Sequence, residues 1–210
     1  MKSVVKSTRQ ISALDEVRTA IDLTYATKVL EVASTKWLST TTINAILSCI
    51  VSLHDDVGVV KADYYTVNAE DMRERVLTAT GAFSDEHTRL VSIANLGGEH
   101  GKHWQAFYID FEDDECVLYD PLPTGRGARL KTLEATVKQL VAPRTQKPLT
   151  YRKHSEAKMT VARAVYTAVF LEYMMKRILF MEAVVLPSRV YRVRYMVLLA
   201  MALRKLAEGE

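Results

Sequence analysis

The chain has 210 residues, with 49% hydrophobic and 25% charged side chains and a formal net charge of +3. That length and apolar content suit one soluble domain with a sizeable core. A charge this balanced gives no argument for a nucleic-acid partner, and no run of about 18 or more apolar residues predicts a membrane span. Cys49 and Cys116 are the only cysteines. Two cysteines do not make a disulfide framework, so a reducing compartment, cytoplasmic or nuclear, is expected. The opening MKSVVKSTRQ lacks a long apolar core, so no signal peptide is expected there.

The first ten or so residues are polar and basic and read as loose. Residues 11–32 carry a mixed pattern that predicts short helical stretches. A Ser/Thr cluster at 39–42 offers an N-cap, and Ile43, Ile46, Leu47 and Ile50 follow at helical spacing, predicting a helix over 41–53. Residues 57–67 read as one or two strands, and the acidic signal at 68–71 opens a helix over 72–77. Residues 88–95 are β-like, and the glycines at 97, 98 and 101 mark a turn.

Two strands follow, over 103–111 and 116–119, joined by the acidic loop Glu112-Asp113-Asp114-Glu115. Asp120-Pro121 stops the second strand, because proline donates nothing to a sheet ladder. Helical spacing returns over 130–141, and a further strand is predicted over 149–152. Residues 161–180 are apolar on nearly every face, which predicts a buried helix. Pro187 precedes a last helix over 188–206 whose basic side reads as a solvated face. Helices, a central sheet and closing helices make an α+β pattern. Residues 1–30 read as an N-terminal extension and 31–210 as the domain.

His103 begins the first hairpin strand and Asp120 ends the second, so the hairpin can bring them together. A carboxylate that holds one imidazole nitrogen leaves the other as a base. In a thiol protease the third member is a cysteine at a helix N-terminus, where the dipole favours thiolate.

In this arrangement the chain resembles the ubiquitin-like-protein (SUMO) protease family of adenain-like cysteine peptidases. Trp37-Leu38 followed by Ile43-Asn44 looks like the family's opening helix. Asn95, His103-Trp104, Ile109-Asp110 and Tyr119-Asp120-Pro121-Leu122 look like its histidine and aspartate strands. Val169-Phe170-Leu171-Glu172 looks like the helix after its nucleophile. The resemblance implies a papain-like α+β fold, a central mixed sheet flanked by helices. It implies a ubiquitin-like protein (SUMO, ubiquitin or a relative) as partner, and no cofactor.

Where the family has Cys-Gly-Val-Phe, this chain has Thr167-Ala168-Val169-Phe170. Where the family has its oxyanion glutamine, this chain has Val161. A threonine hydroxyl is a far weaker nucleophile than a thiolate. Losing one oxyanion donor typically costs on the order of 100- to 1,000-fold in rate. The resemblance therefore implies a cysteine-type peptidase domain whose own residues leave it inactive or nearly so. The alternatives are a non-catalytic binder of a ubiquitin-like protein and a decayed structural module.

Simpler roles stand beside these. His103 and Asp120 also fit a strand-end histidine and a turn-capping aspartate. Trp37 and Trp104 fit core packing as well as the walls of the family's Gly-Gly channel, and Thr167 fits a helix-entry residue without chemistry. Cys49 reads as an inert buried thiol. Glu99, His100 and His103 are spaced for a metal only on a helix, and the glycines around them argue for a loop, so no metal is expected.

Overall fold

The structure is a computed structural model that describes residues 17–18, 23–24, 31–33, 37–67, 69–96, 103–122, 125–145, 147–154, 163–177 and 188–208. Strands β1 (Val17–Arg18) and β2 (Leu23–Thr24) pair antiparallel, with Val17 opposite Thr24. The mixed pattern over 11–32 predicts short helical stretches; of the described residues in that range, 17–18 and 23–24 are strand and 31–32 are helical. β-branched Val17 and Thr24 suit a paired strand better than a helix.

Helix α1 (Thr40–Val51) starts one residue from its expected place, and its N-cap explains why. Ser39 Oγ accepts from Thr42 N, and the Glu31 carboxylate accepts from Ser39 N at 2.6 Å and Thr42 Oγ1 at 2.7 Å. Polar side chains thus meet the first-turn groups that a helix leaves unbonded. Ile43, Ile46, Leu47 and Ile50 are buried, as their spacing predicts.

Strand β3 (Val57–Val60) is shorter than expected and gives way to a 3-10 turn at Ala62–Tyr65. Asn44 of α1 causes the change: its Oδ1 accepts from Ala62 N at 2.9 Å and its Nδ2 donates to Asp63 at 2.7 Å. Helix α2 (Glu70–Thr80) ends on Gly81, whose φ of 59° is open to glycine without strain.

β4 (Arg89–Asn95), β5 (Trp104–Asp110) and β6 (Glu115–Tyr119) follow, then α3 (Arg126–Val141), β7 (Thr150–His154), α4 (Arg163–Met175) and α5 (Ser188–Glu208). The five main strands lie in the order β3-β4-β5-β6-β7. The outer pairs are parallel and the inner pairs antiparallel, so the sheet is mixed. This is the expected α+β architecture of a central mixed sheet flanked by helices.

Alternation along the strands sorts the core into two layers. Val91, Ile93, Trp104, Ala106, Tyr108, Val117 and Tyr119 pack with α1, α4 and α5. Leu90, Phe107, Ile109, Cys116 and Leu118 pack with Leu77 of α2 and with α3. Each fully buried large side chain contributes about 1.5–3 kcal/mol. Helix α4 is buried almost all round, as its sequence predicts. It stops at Met175 rather than running to 180: Arg177 turns left-handed (φ 53°) and returns its N–H to Met174 O. Among the described residues, no helix is long and apolar enough to cross a membrane.

Candidate functional site

The β5–β6 hairpin brings its two outermost polar residues together. His103 Nε2 donates to Asp120 Oδ1 at 2.7 Å, and both side chains are buried. The register explains the meeting: Ala106 lies opposite Tyr119, so the start of β5 reaches the residue that follows β6. Asn95 at the end of β4 holds the entry to the strand, its Oδ1 accepting from His103 N at 3.3 Å.

Asp120 has further donors. Leu122 N reaches Oδ1 at 2.8 Å, while Arg129 Nε at 2.7 Å and Gln105 Nε2 at 3.3 Å reach Oδ2. Burial alone would raise this carboxyl. The hydrogen bonds from His103, Arg129 and Leu122 outweigh it and hold Asp120 below the usual carboxylate range. The opposite ring nitrogen, His103 Nδ1, is buried and meets no hydrogen-bond partner among the described residues. An imidazole held this way, with Nε2 donating to a carboxylate, keeps a lone pair on Nδ1 for a proton or a donor.

The two tryptophans also meet. Trp37 and Trp104 stack with ring centroids 6.1 Å apart and planes 22° from parallel. Trp104 is buried at 1% exposure and is part of the α1/α4 core, whereas Trp37 is 42% exposed. Trp104 Nε1 is buried without a hydrogen-bond partner among the described residues. Core packing therefore accounts for Trp104, while Trp37 offers an open aromatic face at the same end of the sheet.

Thr167 lies inside α4, one turn past the start at Arg163, rather than at the helix entry. It is fully buried, and its Oγ1 donates to Ala164 O at 2.6 Å. That back-bond occupies the hydroxyl proton within its own helix. Val161, Glu99 and His100 lie outside the described residues. Neither thiol has thiolate character: burial pushes Cys49 up to about 11 and raises Cys116 above its ordinary value. Cys116 faces the α3 core opposite Ile109.

Three contributors escaped the sequence reading. Gln105 stands two residues after His103 on a strand, so alternation alone would have put it on the same face. His154, at the end of β7, lies opposite Tyr119, and burial together with Arg126 pushes its imidazole below the ordinary histidine range. Arg129 belongs to α3, and nothing in its local sequence points to Asp120.

No protein-family model and no curated protein matches the sequence. Solved structures do match in fold. The SUMO protease Ulp1 with its catalytic cysteine oxidised to a sulfenic acid aligns at a TM-score of 0.70 and 15% identity, over 96% of this chain and 94% of that one. The C-terminal Ulp1 protease domain in complex with Smt3, the yeast ortholog of SUMO, aligns at 0.65 and 15%, over 94% and 96%. The Ulp1-like SUMO protease catalytic domain of Chaetomium thermophilum aligns at 0.65 and 13%, over 97% and 88%. The chain therefore has the fold of these proteases across nearly its whole length.

Proposed function

We propose that this chain is a ubiquitin-like-protein-binding domain built on the SUMO-protease fold, without the chemistry of a cysteine peptidase. One observation supports the reading: Thr167, which the Val169-Phe170 resemblance aligns with the family's nucleophile, is a buried hydroxyl and not a thiol. Its Oγ1 donates to Ala164 O within its own helix. A threonine within a chain needs strong activation to attack a carbonyl, and His103 Nδ1 accepts no hydrogen bond from it.

The exposed face of Trp37 supports binding. A flat aromatic wall suits the glycines of a ubiquitin-like C-terminus, since any Cβ would clash there. The Ulp1 domain of the same fold is known in complex with Smt3.

The test is calorimetric titration with SUMO and ubiquitin, alongside a turnover assay with their fluorogenic C-terminal conjugates. Binding of one of them, weakened at least tenfold by Trp37→Ala, with no turnover, is the expected result. Turnover that disappears in His103→Ala would overturn the non-catalytic reading. Absence of binding to every ubiquitin-like protein tried would overturn the binding reading. A Thr167→Cys variant that gains turnover would add that the groove still presents its ligand to residue 167.

A further inference from the structure

The first turn of α3 is charged against its own dipole. A helix N-terminus favours acidic residues, by about 0.3–1 kcal/mol each. Helix α3 instead opens on Gly125 with no side-chain cap and no acid in its first turn, and it carries Arg126 and Arg129 there. Both guanidinium groups fold back over the turn that follows β6. Arg126 Nε donates to Leu122 O at 3.0 Å. Arg129 donates to the same carbonyl through Nη2 at 3.2 Å and to Asp120 Oδ2 through Nε at 2.7 Å.

Gly125 is fitted to the same contact. Its φ is +64°, and a Cβ there would stand 3.0 Å from Arg129 Nη1. Two local rules, acids at the helix start and a polar N-cap, are thus set aside around one ion pair. Such departures concentrate where function needs a particular arrangement.

The pair acts on the other half of the carboxylate. Oδ1 of Asp120 faces His103 Nε2 and Leu122 N, and Oδ2 faces Arg129 and Gln105. A carboxylate held at one oxygen can swing about its terminal torsion, whereas donors at both oxygens fix its plane. A fully buried aspartate without a cation would favour its protonated form. A protonated Asp120 would no longer demand the Nε2–H tautomer of His103.

We propose that Arg129 is a positioning residue of this site: by holding Asp120 Oδ2 it fixes the carboxylate that binds His103, and so maintains the imidazole tautomer and orientation that leave Nδ1 available. It acts through Asp120 and touches no ligand. The proposal rests on the reading of His103 and Asp120 as the working pair of the site. The ring state of His103 can nevertheless be measured without any ligand.

The experiment is nitrogen NMR of the histidine rings in the full chain at mildly alkaline pH, where a free imidazole is neutral. In the natural chain His103 should show two well-separated nitrogens, Nε2 protonated and Nδ1 bare. Arg129→Met should collapse that separation toward the average of exchanging tautomers, and Arg129→Lys should restore part of it. Arg126→Met, which leaves the Asp120 contact in place, should change nothing. If Arg129→Met lowers the melting temperature while the His103 nitrogens stay as they were, Arg129 is structural only and the proposal falls. Should Arg129→Met fail to fold, Arg129→Gln decides, since it keeps a polar stem and removes the cation from Asp120 Oδ2: an unchanged His103 spectrum there also overturns the proposal. A chain that binds no ubiquitin-like protein yet shows the Arg129 effect would sink the proposed function and leave this inference standing.

Discussion

The β5–β6 hairpin has a buried aspartate at each end, and the two are bonded in different ways. Asp110 closes its own turn: it accepts from Tyr108 OH, Glu112 N and Asp113 N, all within three residues, and Arg177 adds a longer contact at 3.5 Å. Asp120 gathers donors from separate elements: His103 and Gln105 at the opposite strand, Leu122 in the following turn and Arg129 on α3. The first set is local and explains itself as turn closure. The second ties the hairpin to a helix and ends on a ring nitrogen with no described partner. Turn closure accounts for the first aspartate; the second joins three elements beside a ring nitrogen that has no partner among the described residues.

The largest test of that contrast is truncation of each carboxylate. Asp120→Ala leaves Arg129 and His103 facing a buried void and should lower the unfolding free energy by about 3–5 kcal/mol. Asp110→Ala loses mostly local backbone bonds and should cost about 1–2 kcal/mol. Equal losses in denaturant titrations would break the comparison.

A packing change away from both aspartates calibrates the scale. A Cβ on Gly58 would stand 2.0 Å from Ala82 O and 2.9 Å from His87 Nδ1. The backbone must shift to admit it, so Gly58→Ala should cost about 1–3 kcal/mol by thermal melting. That loss should leave the His103 spectrum untouched.

Acid separates the site end further. The folded-state pKa of Asp120 lies below its unfolded value of about 3.9. Its contribution is therefore fully present above that unfolded value and is lost as pH falls through the lower folded value. Asp120→Asn should be less stable than the natural chain near neutrality and should show a shallower loss of stability on acidification. Parallel stability curves would mean that Asp120 is not held as an anion.

The smallest effect belongs to the turn end. Arg177 is left-handed, and its side chain is 60% exposed with contacts to Asp110 and Glu112 at 3.5 and 3.3 Å. Exposed pairs of this kind contribute about 0–1 kcal/mol, while glycine relieves the backbone. Arg177→Gly should change stability by less than about 1 kcal/mol in melting experiments. A larger loss would show that the turn end relies on a distant cation as the site end does.

Much of the architecture was written in the chain. The alternation of β5 and β6, the stop at Asp120-Pro121, the Ser39 cap of α1 and the all-round apolar α4 follow from periodicity and local chemistry, as does the meeting of His103 with Asp120 across one hairpin. The 3-10 turn is not legible in its own residues because a distant partner decides it, and the early strands are too short to show a period. Asn44 bends the chain at Ala62 from another helix, and a short β1–β2 pairing displaces the helical stretches predicted there.

What the sequence by itself determined is which residues share a strand face or a helix stripe, because that depends only on repeats of two and 3.6 residues. It also showed that no cysteine stands at residue 167. Tertiary structure alone decided that Arg129 clamps Asp120 and that Trp37 lies on Trp104. Those contacts depend on where one element is set down on another, and that placement is settled by burying both faces of the sheet at once, a condition no local stretch of sequence contains.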